Sequence, residues 1–196
     1  MSKAERTRQF IIEKTAPVFN AKGYAGTSLN DIVEATGLTK GSVYGNFGNK
    51  DEVALAVFDY NFGRISAYIR ERVHARDTAI GKLLVYPEVY RDFLKIGFLK
   101  AGCPVLNTAT EADDTHPALR EKAVNALKTW RYYLEKIVAR GIADKELKAS
   151  AKPAEVASLV MTLIEGAVMI AKVTGKTAEL HVAMDHLEKI IRDLER

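Results

Sequence analysis

Thr27-Ser28-Leu29-Asn30-Asp31-Ile32-Val33-Glu34-Ala35-Thr36-Gly37-Leu38-Thr39-Lys40-Gly41-Ser42-Val43-Tyr44-Gly45-Asn46-Phe47-Gly48-Asn49-Lys50 decides how this chain is read. A short helix starts near Ser28, with Thr27 or Ser28 able to serve as N-cap, and carries Leu29, Ile32, Val33 and Ala35 at helical spacing. Gly37 follows as a left-handed cap, where a residue without Cβ costs least. A third short helix starts after Thr39 and carries Val43 and Tyr44. Two short helices meeting at a glycine form a helix-turn-helix. Ile32, Val33, Ala35, Leu38 and Val43 are the apolar set that locks them together. Lys40, Gly41, Ser42 and Tyr44 are left for the other face, with residues small enough for close approach to a major-groove floor.

Outward from this stretch the chain reads as all-α, with about nine helices. A first helix over residues 3–22 puts Ile12, Ala16 and Phe19 on one face and stops at Gly23. Asn49 opens a long fourth helix in a capping-box spacing with Glu52, reaching residues 74–76. A fifth starts at Asp77 or Thr78 and runs toward Phe98. The region 97–104 is a break, and a sixth piece covers about 105–113. Pro117 and Pro153 sit in the first turns of a seventh helix ending near Gly141 and an eighth ending near Gly175. A ninth runs from Thr177 onward. No repeat or low-complexity segment interrupts this order.

Composition narrows the class. Of the 196 residues, 47% are hydrophobic and 28% charged, enough for a core and a solvated surface. Residues 1–50 hold seven Lys/Arg against four Asp/Glu, a balance of +3, whereas the rest holds 22 against 21. The excess positive charge lies where phosphates would be met. The single cysteine, Cys103, allows no internal disulfide, as a reduced cytoplasmic setting leads one to expect. The N-terminus is charged where a signal peptide needs an apolar run. The richest apolar stretch, 156–173, is interrupted by Ser158, Thr162, Glu165, Gly166 and Lys172, so no membrane span is expected.

The order and spacing of Gly23-Tyr24, Thr27-Ser28, Ile32 to Ala35, Gly37-Leu38-Thr39-Lys40-Gly41-Ser42-Val43-Tyr44, Phe47 and Lys50 resemble the TetR/AcrR family of bacterial regulators. The match covers about residues 6–58; the remainder agrees in length and helical content. The resemblance implies a helix-turn-helix DNA-binding domain over residues 1–50 and an effector-binding and dimerisation domain over 51–196. It implies that Thr27, Tyr44 and Lys50 contact phosphates and that Lys40, Gly41, Ser42 and Asn46 face base edges or nearby backbone. Lys40 has the chemistry for guanine O6/N7 or for phosphate. Two departures stand out. Asn46 replaces the His most frequent before the Phe, and Pro17 inside the first helix should kink it and disturb the aim of Arg6 and Arg8.

Residues 51–196 carry no zinc-protease, nucleophile-elbow or phosphate-loop signature, and their histidines (His74, His116, His181, His186) lack metal-ligand spacing. Neither catalytic residue nor cofactor is expected, and His116 reads as a surface or capping residue. The eighth helix has an apolar band wider than one core stripe needs. The ninth has Leu180, Met184, Leu187, Ile191 and Leu194 at near-heptad spacing. The resemblance implies that these helices pair with their twins in a homodimer, which sets two reading helices on a palindromic double-stranded operator. It also implies a small-molecule effector pocket, for which Phe62, Tyr90, Phe93, Cys103 and Trp130 are the candidate lining. The reading is therefore a transcriptional regulator, a repressor released by its effector. The alternative is a repressor sensing oxidants or electrophiles through Cys103, whose place at a helix start near Lys100 would lower a thiol pKa. An enzyme built on Cys103 and His116, or a helical interaction module, explains less of the order from Thr27 to Lys50.

Overall fold

The computed structural model describes residues 1–196, all helical apart from turns and one isolated bridge between Leu147 and Glu195. Nine α-helices follow one another: α1 Lys3–Lys22, α2 Leu29–Thr36, α3 Lys40–Tyr44, α4 Lys50–His74, α5 Ala79–Arg91, α6 Pro104–Ala112, α7 Pro117–Ala143, α8 Pro153–Thr174 and α9 Ala178–Arg192. They group into two compact units. The first joins residues 1–64 to 101–125; the second joins 65–100 to 126–196.

In the first unit α1 packs on α2 and α6, and α2 on α3. Its core holds Ile11, Ala16 and Phe19 from α1, Ile32 from α2, Val43 from α3, Phe47, and Val53, Ala54 and Val57 from α4. α1 begins at a capping box between Ser2 and Glu5 and continues unbroken through Pro17 to Gly23. The proline therefore does not end the helix. α2 also opens with a capping box, Ser28 with Asp31, and closes on Gly37 at φ 66° and ψ 11°. That is the left-handed geometry expected of the glycine. At the start of α4, Asn49 Oδ1 accepts from Glu52 N at 2.9 Å, but Glu52 reaches past Asn49 and accepts from Gly48 N at 3.0 Å.

In the second unit α5 and α8 pack on α9 and on each other. Leu83, Val85, Tyr86, Val89 and Tyr90 of α5 are buried, as are Val160, Ile164 and Val168 of α8. Arg91 ties the end of α5 to α9, donating to Asp185 at 2.5 Å and Glu188 at 2.6 Å. α5 is shorter than expected. It ends at Arg91, and two 3-10 turns, Phe93–Lys95 and Gly97–Leu99, carry the chain onward. These turns keep Phe93 and Leu99 buried, so the apolar spacing resembles a continuing helix although the backbone does not.

One expectation for α9 needs correction. Leu180, Met184, Leu187 and Ile191 are wholly buried within their own chain, so the near-heptad row of α9 is core rather than a face for a second copy. α8 itself is long and apolar enough to cross a membrane by length and composition, with a mean hydropathy of 1.8. The packing of Val156, Val160, Ile164, Ala167 and Ala171 into the core explains one half of that apolar character.

Gly141 of α7 shows how tight this second core is. A Cβ built there meets Ala79 Cβ at 2.5 Å and Leu147 Cγ at 2.8 Å, whereas nothing lies within 4 Å of one built at Gly63 of α4. Gly141→Ala should therefore destabilise by about 1–3 kcal/mol through overpacking. Gly63→Ala should stabilise by about 0.5–1 kcal/mol through helix propensity. Thermal unfolding of the two variants checks the opposite signs.

Candidate nucleic-acid interface

The reading helix α3 has one buried side and one open side. Val43 is fully buried, while Lys40, Gly41 and Tyr44 are exposed and Ser42 is half-buried. A Cβ at Gly41 would meet nothing within 4 Å, so the outer face is flat at its centre. Thr39 caps the helix by accepting from Ser42 N at 3.2 Å, which satisfies one of its open N–H groups. Asn46 follows; its Nδ2 donates to Ser42 O at 2.8 Å, closing the end of α3.

Arg8, whose aim Pro17 put in doubt, lies against this element. Its Nη1 donates to Asn46 O at 2.6 Å, and its guanidinium sits 3.9 Å from the centre of the Phe47 ring. The contact fastens α1 to the C-terminal end of α3. Sequence spacing held no signal for it, because 38 residues separate the partners.

Thr27 does not reach the surface. It is fully buried and its Oγ1 donates to Gly23 O at 2.6 Å, so it shapes the turn between α1 and α2 and has no hydroxyl to offer a phosphate. Lys50 also serves that turn. Its Nζ donates to Tyr24 O at 2.9 Å and Thr27 O at 3.1 Å and lies 4.1 Å from the Tyr24 ring centre. On the amide side of the same turn, the Glu111 carboxylate of α6 accepts from Tyr24 N at 2.7 Å and Ala25 N at 2.8 Å.

The Tyr24 side chain is itself held on two sides. Its hydroxyl donates to Asp51 Oδ1, and the His116 ring meets it edge-on with centroids 4.6 Å apart. The bond to the Asp51 carboxylate, helped by burial, pushes the phenol up to about 12. His116 caps α7, accepting from Leu119 N through Nδ1 at 3.2 Å. At the far end of the turn, Lys22 pairs with Asp31 at 2.5 Å. That bond and those to Ser28 hold the Asp31 carboxyl well below the usual carboxylate range.

The five residues put forward for an effector pocket divide between the units. Phe62 and Cys103 belong to the first; Tyr90, Phe93 and Trp130 belong to the second. Tyr90 and Tyr86 both stack on Trp130, with centroids 5.8 Å and 6.3 Å apart, and Phe93 is fully buried. The indole Nε1 of Trp130 is buried and has no hydrogen-bond partner in the chain. Cys103 is 1% exposed at the N-cap position of α6, so oxidants and electrophiles have no path to its sulfur in this state. Reactivity through Cys103 is accordingly not favoured.

Comparison with known proteins agrees with this architecture. Residues 11–57 match the family described as "Bacterial regulatory proteins, tetR family", and residues 79–187 match "Tetracyclin repressor-like, C-terminal domain". The chain is 28% identical over 195 residues to the HTH-type transcriptional regulator LmrA of Bacillus subtilis, covering 96% of both chains. It is 48% identical to a TetR-family transcriptional regulator from Cytophaga hutchinsonii, with a TM-score of 0.95 over 100% of this chain and 98% of that one. A TetR regulator from Chloroflexus aurantiacus is 35% identical, with a TM-score of 0.94 over 100% and 99% of the two chains.

The Asp51 contact can be read from one titration. In the intact chain Tyr24 should ionise near pH 12. In Asp51→Ala it should fall toward the ordinary tyrosine value of about 10. Ring signals of Tyr24 followed by NMR would contradict the contact if wild type and variant titrate together.

Proposed function

Since the chain belongs to the TetR family of bacterial transcriptional regulators, which bind DNA, we propose that it is a cytoplasmic homodimeric repressor that lets go of a palindromic operator when a small effector enters its second unit. The observation that carries this reading is the outer face of α3. Lys40, Gly41, Ser42 and Tyr44 stand on a helix whose opposite side is locked by Val43, behind the left-handed turn at Gly37. The flat centre at Gly41 lets the backbone near base edges. Tyr44 brings a hydroxyl on a stiff ring to a phosphate, and Lys40 a charge to guanine or phosphate.

Lys50 and Asn46 act at the rim of this face. The Lys50 ammonium has three N–H groups, two of them given to Tyr24 O and Thr27 O. The third, together with the open N–H groups at the start of α4, suits a phosphate oxygen. The Asn46 amide nitrogen is held by Ser42 O, and its oxygen remains an acceptor. Thr27 supports the turn instead of touching DNA.

The second copy is covered by α8. Leu159, Leu163, Gly166, Ile170 and Val173 recur at helical spacing beside the core-facing stripe, with Leu159, Ile170 and Val173 exposed; Val182 of α9 is exposed as well. A self-complementary apolar stripe of this kind suits a two-fold interface, and it accounts for the half of α8's apolar character that the core does not. Two heads about 34–36 Å apart then meet successive major grooves.

Within the second unit, the stack of Tyr86, Tyr90 and Trp130 supports an effector site. The Trp130 N–H lacks an acceptor, and a buried donor left so costs about 1–3 kcal/mol. A small, partly apolar effector that supplies an acceptor gains that amount by binding there. α4 contributes residues to both units, so a ligand with different affinity for two arrangements of the chain changes DNA affinity by linkage.

Tyr44→Ala should weaken binding to the preferred duplex by about 1–3 kcal/mol. Lys40→Ala should either lower the slope of log K against log salt by about one unit or relax the preference at one base pair. A gel-shift titration at several salt concentrations separates these outcomes; no change in either variant would overturn the interface. Paired Leu159→Glu and Val173→Glu substitutions should yield a folded monomer by light scattering, and a wild type that is monomeric at micromolar concentration would contradict the α8 stripe. Any compound that releases DNA should alter the emission of Trp130, the sole tryptophan. Release with unchanged emission would place the effector elsewhere.

A further inference from the structure

The turn that leads from α1 into the helix-turn-helix is gripped by two opposite charges. It spans Gly23 to Thr27. Its carbonyls at Tyr24 and Thr27 accept from Lys50. Its amides at Tyr24 and Ala25, which lie beyond the last turn of α1 and have no helical acceptor, donate to the two oxygens of Glu111. Glu111 is on α6, 86 and 87 residues away in the chain.

Gly23 is shaped to this grip. Its φ is 72°, and a Cβ there would lie 2.8 Å from Glu111 Cδ. A side chain at position 23 would therefore both strain the backbone and push the carboxylate away. One helical turn before Glu111, Asn107 of α6 donates to Asn20 O at 3.0 Å, while Asn20 Nδ2 donates to Gly102 O at 3.1 Å. The face of α6 carrying Asn107 and Glu111 thus holds the Asn20 carbonyl in the last turn of α1 and the Tyr24 and Ala25 amides beyond it.

We propose that Glu111 is a positioning residue for DNA recognition: by chelating the Tyr24 and Ala25 amides it fixes the entry angle of α2 and α3, and a shift of α6 frees the reading head by breaking both bonds together. The bonds are 2.7 and 2.8 Å long, and hydrogen bonds of this type are lost beyond about 3.5 Å. A displacement of α6 of about 1 Å is therefore enough. Both bonds end on one carboxylate, so they fail as a unit. Glu111 touches no DNA in this scheme; it acts through the backbone of the turn. The DNA part of the inference rests on the reading of α3 given above, while the clamp itself does not.

Full-length Glu111→Ala, Glu111→Gln and Gly23→Ala test it, with three readouts. The first is hydrogen exchange of the peptide covering residues 20–28. The second is affinity for the duplex that wild-type protein selects from a random pool, and for a scrambled duplex of equal length. The third is the melting temperature. Glu111→Ala should exchange at Tyr24 and Ala25 about tenfold faster and bind the selected duplex about tenfold more weakly, the scale of a lost hydrogen bond to a charged group. Its affinity for the scrambled duplex and its salt slope should stay within twofold of wild type, because no phosphate contact is lost. Glu111→Gln, which keeps one acceptor, should lie between. Gly23→Ala should weaken selected binding, and the double variant with Glu111→Ala should be less than additive because both act on one contact. Unchanged exchange would overturn the clamp. Faster exchange with selected-duplex affinity within twofold of wild type would overturn its role in recognition, as would equal losses on both duplexes with a collapsed melting temperature. A wild-type chain without duplex preference would overturn the reading of α3, with the exchange rates still deciding the clamp.

Discussion

The reading head depends on how one five-residue turn is held. Gly23 to Thr27 carries the chain out of α1 and into α2, and it has little apolar surface with which to fix itself. Its position comes from charge-assisted hydrogen bonds: Lys50 on its carbonyls and Glu111 on its amides. Such bonds are short, directional and roughly twice as strong as neutral ones. Opposite charges on opposite edges of one peptide segment reinforce the peptide dipoles instead of competing for them. Thr27 is buried beneath, closing the turn on Gly23 O. The orientation of α3 follows, since the capping box of α2, the turn at Gly37 and the Thr39 cap leave α2 and α3 little freedom once their entry is set.

The second unit rests on a different constraint, the two-sidedness of α8. One face, through Val156, Val160, Ile164, Ala167 and Ala171, packs inward with α5 and α9. The other carries Leu159, Ile170 and Val173 in the open. A helix apolar on both sides passes a test of length and composition for membrane spanning, yet a core face plus a twin-facing stripe satisfies the same sequence. α9 makes the division visible, because Leu180, Met184, Leu187 and Ile191 of its near-heptad row are used inside the chain and Val182 is left prominent outside.

Much of this was legible in the sequence, and the reasons differ by element. The helix-turn-helix was legible because its signals are local: Ser28 as a cap, Gly37 in the left-handed region, Val43 alternating with Lys40 and Tyr44. The starts of α7 and α8 were marked by Pro117 and Pro153 for the same reason. α5 was overextended because 3-10 turns preserve apolar spacing near that of a helix. The row on α9 does not announce its occupant, because periodicity shows that a face is apolar but not what covers it. The family pattern points Thr27 at DNA, whereas burial gives its hydroxyl to Gly23. Arg8, Asp51 and Glu111 left no trace in spacing, since their partners are 38, 27 and 87 residues distant. Long-range contacts of single polar side chains are what sequence periodicity cannot encode.

The central claim, that α3 reads DNA in a two-fold dimer, is tested most directly by selecting bound duplexes from a random-sequence pool and footprinting the winner with hydroxyl radicals. The account predicts an enriched palindrome protected at two symmetric half-sites centred about 10 base pairs apart. A pool that gives no enrichment, or a single protected site without a dyad, would contradict it.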